Sequence, residues 1–227
     1  MNKNEISSNV LQSTEDYGFQ KMGIYSSYNW NDDPRRMAFT LSRYKFVAKM
    51  LENKENVLEV GCGDGFASRI VAQSVKKLSA LDIVEEQINS AKTTISTKWP
   101  INFFHHDMLS SPVKNYGDVK LFDAAYSLDV LEHIDPNLEN IFLTNIVQSL
   151  KPNSQLIIGM PSIESQQYAS ELSKVGHINC KTQPDLKLTM EKYFNYVLMF
   201  CFNDELLHTG FHKMAHYNVA ICLHPKK

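Results

Sequence analysis

The segment DVLEHI concentrates side chains that could do chemistry. Asp129, Glu132 and His133 place two carboxylates and one imidazole within about one helical turn of each other. Carboxylate oxygens and an imidazole nitrogen together suit a hard or borderline divalent cation such as Mg²⁺ or Mn²⁺. Clusters of this kind also form hydrogen-bonded networks without a metal, so the residues themselves leave two interpretations open.

A second candidate site is the glycine-rich stretch VLEVGCGDG. Gly61 and Gly63 follow an apolar run, which is the layout of a loop that brings bare backbone close to a ligand. No Gly-Lys-Ser/Thr follows, which excludes a P-loop, and the spacing G-x-G-x-G differs from the G-x-G-x-x-G of dinucleotide sites. Glu59 and Asp64 make the loop acidic, which disfavours a pyrophosphate and favours a ligand that carries positive charge.

Two further acids lie at the ends of predicted strands, where parallel sheets bind their ligands. Asp82 lies about 20 residues beyond the glycines and could accept hydrogen bonds from both hydroxyls of a ribose. Asp107 ends the next strand and could accept from an adenine amino group. S-adenosylmethionine carries all of these groups. Its ribose would suit Asp82, its adenine would suit Asp107, and its sulfonium and ammonium groups would suit the acidic loop. Each acid taken singly could instead cap a helix.

Histidines form the third group. Five of the eight follow the fifth predicted strand, and they include His177, His208, His212 and His216. The last three lie at i, i+4 and i+8, so a helical segment would align them. They could bind an anionic acceptor or supply a general base, whereas a solvated or satisfied histidine is the alternative for each.

The elements that must position these residues alternate along the chain. Strands are predicted at 56–62, 77–83, 101–108, 121–129 and 155–161. Helices are predicted at 65–75, 84–97 and 137–150, and after an N-cap at Asp33. Continuous apolar runs suit parallel strands that are covered on both faces. With an antiparallel C-terminal pair, they predict a doubly wound α/β protein with a mostly parallel seven-stranded sheet.

Composition narrows the partners. The net charge is −2 and 21% of residues are charged, so we expect no nucleic acid and no membrane partner. The four cysteines are scattered and the first residues lack an apolar signal region, which favours the cytoplasm. Residues 1–33 are polar but rich in aromatics, which predicts an arm that acts as a lid. We expect residues 34–227 to form one domain with an acceptor-side insertion at about 162–190, which favours a small-molecule acceptor.

Several of these motifs resemble those of the class I S-adenosylmethionine-dependent methyltransferases. VLEVGCGDG is similar to their first motif, LSALDI to the second, FFHHDM to the adenine-side motif, FDAAYSLDVLEHI to the fourth-strand motif and LKPNSQLIIGMPS to the fifth strand. The resemblance implies a Rossmann-like fold and S-adenosyl-L-methionine as cofactor. It implies a cofactor site made of Glu59, Gly61, Gly63, Asp82, Ile83, Asp107, Met108, Ser127 and Leu128.

The resemblance also bears on the metal. DVLEHI is similar to the Glu-x-x-Glu-His metal motif of the ubiquinone-biosynthesis O-methyltransferases and the small-RNA 3′-end methyltransferases, in which a later histidine completes the site. It implies Asp129, Glu132, His133 and His177 as metal ligands, although Asp129 stands where those families have Glu. Without a metal, His133, His177 or His208 would be the candidate catalytic base.

The expected reaction is O-methylation of a small-molecule hydroxyl, and a divalent cation could assist it. FNDELLHTGFHKMAHY is similar to small methyltransferases of polysaccharide biosynthesis, which suggests a sugar or phosphorylated metabolite as acceptor. The alternatives are metal-free N-methylation, a nicotinamide-dependent oxidoreductase, or a nucleotide-binding module without catalysis.

Overall fold

A central β-sheet organises the computed structural model, which describes residues 3–226 of the chain. The ends of the predicted arm and domain, Met1, Asn2 and Lys227, lie outside the described residues. The strands are β1 (Asn56–Val60), β2 (Lys77–Asp82), β3 (Asn102–His105), β4 (Phe122–Leu128), β5 (Leu150–Pro161), β6 (Phe194–Asn203), β7 (Leu206–His208) and β8 (Tyr217–Pro225).

The strand order is β3-β2-β1-β4-β5-β8-β6-β7. The first five strands in this order are mutually parallel, whereas β8 is antiparallel to both of its neighbours, β5 and β6. This confirms the doubly wound α/β class with antiparallel strands at the C-terminus. The expected number of seven strands was wrong, because the short β7 pairs with β6 as an additional edge strand.

Helices cover the sheet on both faces. They are α1 (Lys3–Tyr17), α2 (Ile24–Asp32), α3 (Arg35–Met50), α4 (Ser68–Ala72), α5 (Glu85–Thr93), α6 (Glu139–Gln148), α7 (Glu171–Gly176) and α8 (Gln183–Glu191). The 3₁₀ turns are Leu131–His133, Ile163–Tyr168 and His212–Met214. Asp33 accepts a hydrogen bond from the backbone N–H of Arg35 at 3.1 Å, which is close to its expected role as N-cap.

Alternation along β1 shows how one strand serves two layers of the core. Val57 packs with Val47 of α3, on one face of the sheet. Leu58 packs with Leu143 of α6, on the opposite face. Successive side chains point to opposite faces of a strand, so a strand that is buried on both sides is mostly apolar, and a polar residue in it such as Glu59 needs a buried partner. The two layers fix the sheet, and its strand ends then position the glycine loop and DVLEHI.

The connection between β6 and β8 consists of the strand β7 and a short 3₁₀ turn at His212–Met214, so it is not the helix that would align its histidines. A turn at Asp204 and Glu205 closes a hairpin in which Asn203 pairs with Leu206 and Cys201 with His208. Backbone hydrogen bonds across the hairpin use the groups that a helix would need for its own turns. A spacing of four residues therefore does not align the histidines of this segment on one face.

Candidate active site

The loop between β1 and α4 turns sharply across the end of β2. Gly61 and Cys62 donate their backbone N–H groups to the Leu81 carbonyl at 2.8 and 2.9 Å. Gly63 has a φ of +54°, and open space lies where a Cβ would be. A side chain at Gly63 would strain the backbone and would fill the space through which a ligand approaches the loop.

Asp82 ties this loop to the next turn. Its Oδ2 accepts from the Gly63 N–H at 2.8 Å, and its Oδ1 accepts from the Val84 N–H at 2.9 Å. The following Ile83 is exposed. A carboxylate oxygen has two lone pairs, so each oxygen of Asp82 can accept one further hydrogen bond from a ligand.

Asp107 lies two residues beyond the end of β3 and is half-buried. Its Oδ1 accepts from the Leu109 N–H at 2.8 Å, which fixes the turn after the strand. Met108 is buried in the core. The carboxylate of Asp107 therefore keeps acceptor capacity, while Met108 contributes to packing.

Ser127 and Leu128 end β4 beside the glycine loop. The Ser127 hydroxyl donates to the Val60 carbonyl at 3.0 Å, and both side chains are buried. This bond holds the last turns of β1 and β4 together. The side chains of these residues are therefore structural, and only the backbone could meet a ligand.

Glu59, predicted as a cofactor residue, is buried and does not lie in the open part of the site. Its side chain points to the α3 layer and is 1% exposed. Its Oε1 accepts from the Tyr44 hydroxyl at 2.7 Å. Burial raises the pKa of Glu59 to about 7, although the hydroxyls of Ser68, Tyr44 and Tyr126 act in the opposite direction.

Asp64, the other acid of the loop, is occupied by the N-terminal arm. Its two oxygens accept from the backbone N–H and the hydroxyl of Ser26, at 2.7 and 3.0 Å. Gly23 lies so close that a Cβ there would come within 2.3 Å of the Asp64 side chain. Asp64 therefore anchors the start of α2 and is not a free acceptor for a ligand.

Glu132, His133 and His177 are the predicted residues that the structure brings together as a cluster. Each offers one ligand atom, and these atoms all lie within 4.8 Å of one another. Glu132 is fully buried, and neither of its carboxylate oxygens has a hydrogen-bond partner among the described residues. Burial, reinforced by the charge of Asp129, raises the pKa of Glu132 well above its usual range. A buried carboxylate without partners is costly, and a bound divalent cation would relieve that cost.

Both imidazoles are oriented by hydrogen bonds from their Nδ1 atoms. His133 Nδ1 lies 2.8 Å from the Gly176 carbonyl oxygen, and His177 Nδ1 lies 2.8 Å from Oε1 of Gln166. Both oxygens are acceptors, so Nδ1 carries the proton in each ring and Nε2 keeps a free lone pair. Burial, and then the neighbouring His133, lower the pKa of His177, which favours the neutral form that ligates metals.

A second layer of polar contacts locks the two chain segments of the cluster together. The Asn179 N–H donates to the Glu132 carbonyl at 2.9 Å, and its side-chain amide donates to Glu139 Oε2 at 2.8 Å. Lys181 closes the network with an ion pair to Glu139 at 2.8 Å. These contacts fix the backbone of the 3₁₀ turn against the segment that carries His177, as a preorganised metal site requires.

Asp129, the fourth residue predicted as a metal ligand, is not part of this cluster of described residues. Its two oxygens lie 3.2 and 3.3 Å from Nη1 of Arg43 on α3. The backbone of Asp129 is left-handed, with a φ of +57°, and its N–H donates to the Gly159 carbonyl. The chain direction at this residue therefore aims the carboxylate at α3 instead of the imidazoles.

His208 also stays apart from the described metal-ligand cluster, as do the histidines that follow it. His208 Nε2 lies 3.3 Å from Asn203 Oδ1 in the β6–β7 hairpin, and His216 Nδ1 lies 3.2 Å from Asp204 Oδ1. His212 lies in the following 3₁₀ turn. Of the histidines predicted as catalytic bases, His133 and His177 thus lie in the cluster with Glu132, whereas His208 lies in the β6–β7 hairpin.

Sequence analysis missed four residues that complete the site: Ser26, Arg43, Gln166 and Asn179. Each acts through a partner that is distant along the chain, such as Arg43 with Asp129. Asn, Gln and Ser carry no pattern that separates such roles from ordinary surface positions. Only the polarity of Arg43 within an apolar helix stripe could have drawn attention to it.

Comparison with known proteins now decides the family. The chain matches a protein-family model described as a methyltransferase domain over residues 30–197. That match covers well over half of the chain. The protein belongs to the class I S-adenosylmethionine-dependent methyltransferases. Within the residues that the structure describes, this methyltransferase has no helix that is both long and apolar enough to cross a membrane.

The methyltransferase is similar to curated relatives from Rickettsia. A ubiquinone biosynthesis O-methyltransferase of Rickettsia felis is 29% identical over 162 residues, which cover 65% of this chain and 62% of that protein. The protein of the same name from Rickettsia akari is 26% identical over 154 residues, with 63% and 59% covered. The chain therefore spans less than two thirds of the length of the curated relatives it matches.

Solved structures share the fold of the methyltransferase. The methyltransferase domain of a bacterial Hen1, CtHen1-C, has a TM-score of 0.66 at 17% identity and covers 83% of this chain and 100% of that chain. The N-methyltransferase NodS of Bradyrhizobium japonicum, in complex with S-adenosyl-L-homocysteine, has a TM-score of 0.61 at 19% identity, with 88% and 93% covered. At these identities the likeness establishes the architecture alone.

Proposed function

We propose that the protein transfers a methyl group from S-adenosylmethionine to a hydroxyl of a small-molecule acceptor, with a divalent cation at Glu132, His133 and His177. The observation that carries this proposal is the fully buried Glu132 carboxylate, whose oxygens have no hydrogen-bond partner among the described residues. Two imidazoles with free Nε2 atoms lie beside it, oriented by bonds from Nδ1. Mg²⁺ and Mn²⁺ both accept this combination of donors.

The cofactor would lie across the strand ends. We infer that Asp82 accepts the ribose hydroxyls and that Asp107 accepts the adenine amino group. The open backbone around Gly63 would face the methionine carboxylate, beside the backbone of Ser127 and Leu128. Asp82 supports this placement because its oxygens keep acceptor capacity after the two bonds to the backbone.

Methyl transfer from a sulfonium is an in-line displacement, so the chain mainly aligns donor and acceptor and excludes water. A bound cation would lower the pKa of an acceptor hydroxyl, which an O-methyltransferase needs and an N-methyltransferase does not. Glu132, His133 and His177 would hold that cation. Gln166 and the Gly176 carbonyl keep the imidazoles in the required orientation.

Two further arguments support O-methylation of a small molecule. The Rickettsia relatives bear the name ubiquinone biosynthesis O-methyltransferase. The segment from the 3₁₀ turn at Ile163 to α8 carries His177 into the cluster, and we infer that it forms the acceptor side. We include sugars and phosphorylated metabolites of polysaccharide biosynthesis among the acceptors, and we place the reaction in the cytoplasm because the four cysteines are free.

We infer that residues 1–33 act as a lid through α2. Ser26 is bonded to Asp64 of the glycine loop, and the Ile24 N–H donates to the Ser90 hydroxyl at 3.1 Å.

Chelation tests the proposal. The protein, treated exhaustively with EDTA, is incubated with methyl-labelled S-adenosylmethionine and a panel of catechols, monosaccharides and sugar phosphates. We expect no labelled product, unchanged binding of S-adenosylhomocysteine by calorimetry, and restored transfer after Mn²⁺ or Mg²⁺ is added. Full turnover after chelation would overturn the proposal that the reaction needs a divalent cation. His133 or His177 would then be the candidate base for a metal-free reaction.

A further inference from the structure

Arg43 is a buried cation that the proposed reaction does not use. It lies on α3, and its side chain is 16% exposed. Its guanidinium carbon lies 3.7 Å from the centroid of the Tyr217 ring, and Tyr217 is fully buried in β8. A guanidinium stacked on a fixed aromatic ring is preorganised, so Arg43 has little freedom to move away from its ion pair.

The partner of Arg43 is Asp129, the first residue of DVLEHI. Nη1 of Arg43 lies 3.2 and 3.3 Å from the two Asp129 oxygens. The left-handed backbone of Asp129 and the hydrogen bond from its N–H to Gly159 fix the backbone at this residue. The Asp129 carboxylate itself is held by Arg43.

The same ion pair separates Asp129 from the metal-ligand cluster. Ligand atoms of Glu132, His133 and His177 lie within 4.8 Å of one another, and Asp129 contributes none to this group. Asp129 nevertheless lies only three residues before Glu132, next to the turn Leu131–His133 that carries part of the cluster. Asp129 thus lies near the cluster but is neutralised by Arg43.

We propose that Arg43 is a positioning residue that withholds Asp129 from the metal, so that the protein supplies one carboxylate and two imidazoles. This inference rests on the proposed function and concerns the composition of its metal site. The donor set would carry a charge of −1 instead of −2. Fewer carboxylates weaken the hold on hard cations such as Mg²⁺, whereas two imidazoles suit first-row transition ions such as Mn²⁺ and Co²⁺.

Mn²⁺ binding to the full chain with S-adenosylhomocysteine tests this, with the free ion measured by electron paramagnetic resonance. Arg43→Met frees Asp129 to reach the metal, and we expect affinity to rise about tenfold, since an added carboxylate tightens such sites. The double variant Arg43→Met/Asp129→Asn removes both charges and matches the wild-type net charge of the pair. Its affinity should lie within about threefold of wild type, because no ligand is lost.

Arg36→Met is the matched control. Arg36 lies on the same helix, pairs with Asp32 at 2.6 Å and is not bonded to Asp129. Loss of this cation should change Mn²⁺ affinity less than about twofold, since exposed charges are screened. If Arg43→Met does not fold, Arg43→Lys keeps the charge but loses the planar fork, and it should tighten binding in the same direction by a smaller factor.

A second readout separates ligation from general electrostatics. The visible absorption spectrum of bound Co²⁺ reports the donor atoms, and we expect the charge-matched double variant to leave it unchanged. A tenfold weaker affinity or an altered Co²⁺ spectrum in the double variant would show that Asp129 is a ligand and would overturn the inference. If that occurs while Glu132→Gln still abolishes binding, the proposed metal site stands. Absence of Mn²⁺ binding by the wild-type protein would overturn both.

Discussion

Asp64 and Asp82 of the glycine-loop region differ from Glu132, which follows β4, in the hydrogen bonds that their carboxylates accept. Asp64 and Asp82 each accept two or more hydrogen bonds from protein groups, mostly from backbone N–H. Glu132 is fully buried, and its carboxylate accepts no hydrogen bond from the described residues. Asp64 and Asp82 are thus satisfied by protein groups, whereas the Glu132 carboxylate has no hydrogen-bond donor among the described residues.

This difference separates two ways in which a ligand site is built. On the glycine-loop side, the ligand adds to a network that already holds its own turns, so binding there extends existing bonds. On the Glu132 side, the ligand supplies the partner that the fold itself does not provide. Native proteins seldom leave a buried carboxylate unpaired, and this deficit is the observation on which the proposed cation rests. Substitutions in the two regions should therefore fail in different ways.

Loss of the Glu132 carboxylate should have the largest effect. Glu132→Gln keeps the shape but removes the charge that holds the cation, so we expect turnover to fall by at least about 100-fold without rescue by excess Mn²⁺. Affinity for S-adenosylhomocysteine should remain within about twofold by calorimetry, because the lesion lies on the acceptor side.

His208→Ala is the control for that measurement. His208 is the predicted catalytic histidine that the structure places in the β6–β7 hairpin, bonded to Asn203. Its loss should leave Mn²⁺ affinity unchanged. An equal loss of Mn²⁺ binding in both variants would show that the cluster of Glu132, His133 and His177 is not the metal site.

Asp82 should give the second largest effect, and on the opposite ligand. Asp82→Ala removes the expected acceptor of the ribose hydroxyls and also leaves the N–H groups of Gly63 and Val84 without their partner. We expect affinity for S-adenosylhomocysteine to fall by about 10- to 100-fold, since each unmade buried hydrogen bond costs roughly 1–3 kcal/mol.

Mn²⁺ affinity provides the internal check on Asp82→Ala, and it should stay near the wild-type value. Circular dichroism would confirm the fold. Unchanged affinity for S-adenosylhomocysteine in a folded variant would remove Asp82 from the cofactor site. A simultaneous loss of both ligands would mean that the two regions are not energetically separate.

The sequence predicts a feature of these regions when the residues that form it lie close together along the chain, and it fails when they lie far apart. The glycine loop and Glu132 with His133 are encoded within a few residues, so spacing alone revealed them. The direction of Asp129 depends on Arg43, which is 86 positions away, and on a left-handed backbone that no local pattern requires. His177 came from a resemblance to known motifs, because its partner His133 lies in another segment.

The same reasoning explains the other differences. The predicted lid rested on aromatic residues, but its anchor is the small polar contact between Ser26 and Asp64, 38 positions apart. An i, i+4 spacing suggested a helix for His208 and His212, and strand pairing with β6 overrode it. Tertiary pairing, which sequence periodicity does not report, decided both segments.

A smaller effect is expected where the arm meets the glycine loop. Ser26→Ala removes the hydroxyl bond to Asp64 and keeps the backbone bond, so the anchor should weaken by about 1 kcal/mol. Trypsin cleavage at Lys21 should then be about fivefold faster, because it follows opening of α2. S-adenosylhomocysteine should slow cleavage of both forms if α2 is a lid.

Ser27→Ala is the matched control for the arm. The Ser27 hydroxyl is adjacent and lies 3.5 Å from the Met22 carbonyl, without contact to Asp64. It should leave the cleavage rate nearly unchanged. Equal rates for wild type and Ser26→Ala would mean that this anchor does not hold α2, and cofactor-independent cleavage would contradict a lid.

Glu59 should have the smallest effect on either ligand but a measurable effect on stability. Burial raises its pKa from 4.5 to about 7, so the folded protein binds this proton more tightly than the unfolded chain does. The resulting stabilisation is complete below about pH 4.5 and is lost as pH rises through about 7. A shift of this size corresponds to a loss on the order of 3 kcal/mol in the free energy of unfolding over the full titration.

Glu59→Gln removes this titration and keeps an oxygen that can accept from Tyr44. Relative to wild type, the variant should gain about 2 kcal/mol between pH 5 and pH 8, as urea unfolding at both pH values would show. Its affinity for S-adenosylhomocysteine should change less than about twofold, because the Glu59 side chain is 1% exposed. A difference that does not vary with pH would contradict the raised pKa. A tenfold weaker affinity for S-adenosylhomocysteine would instead return Glu59 to the cofactor site, as its motif predicts. It would show that Glu59 makes a contact that forms only when the ligand is bound.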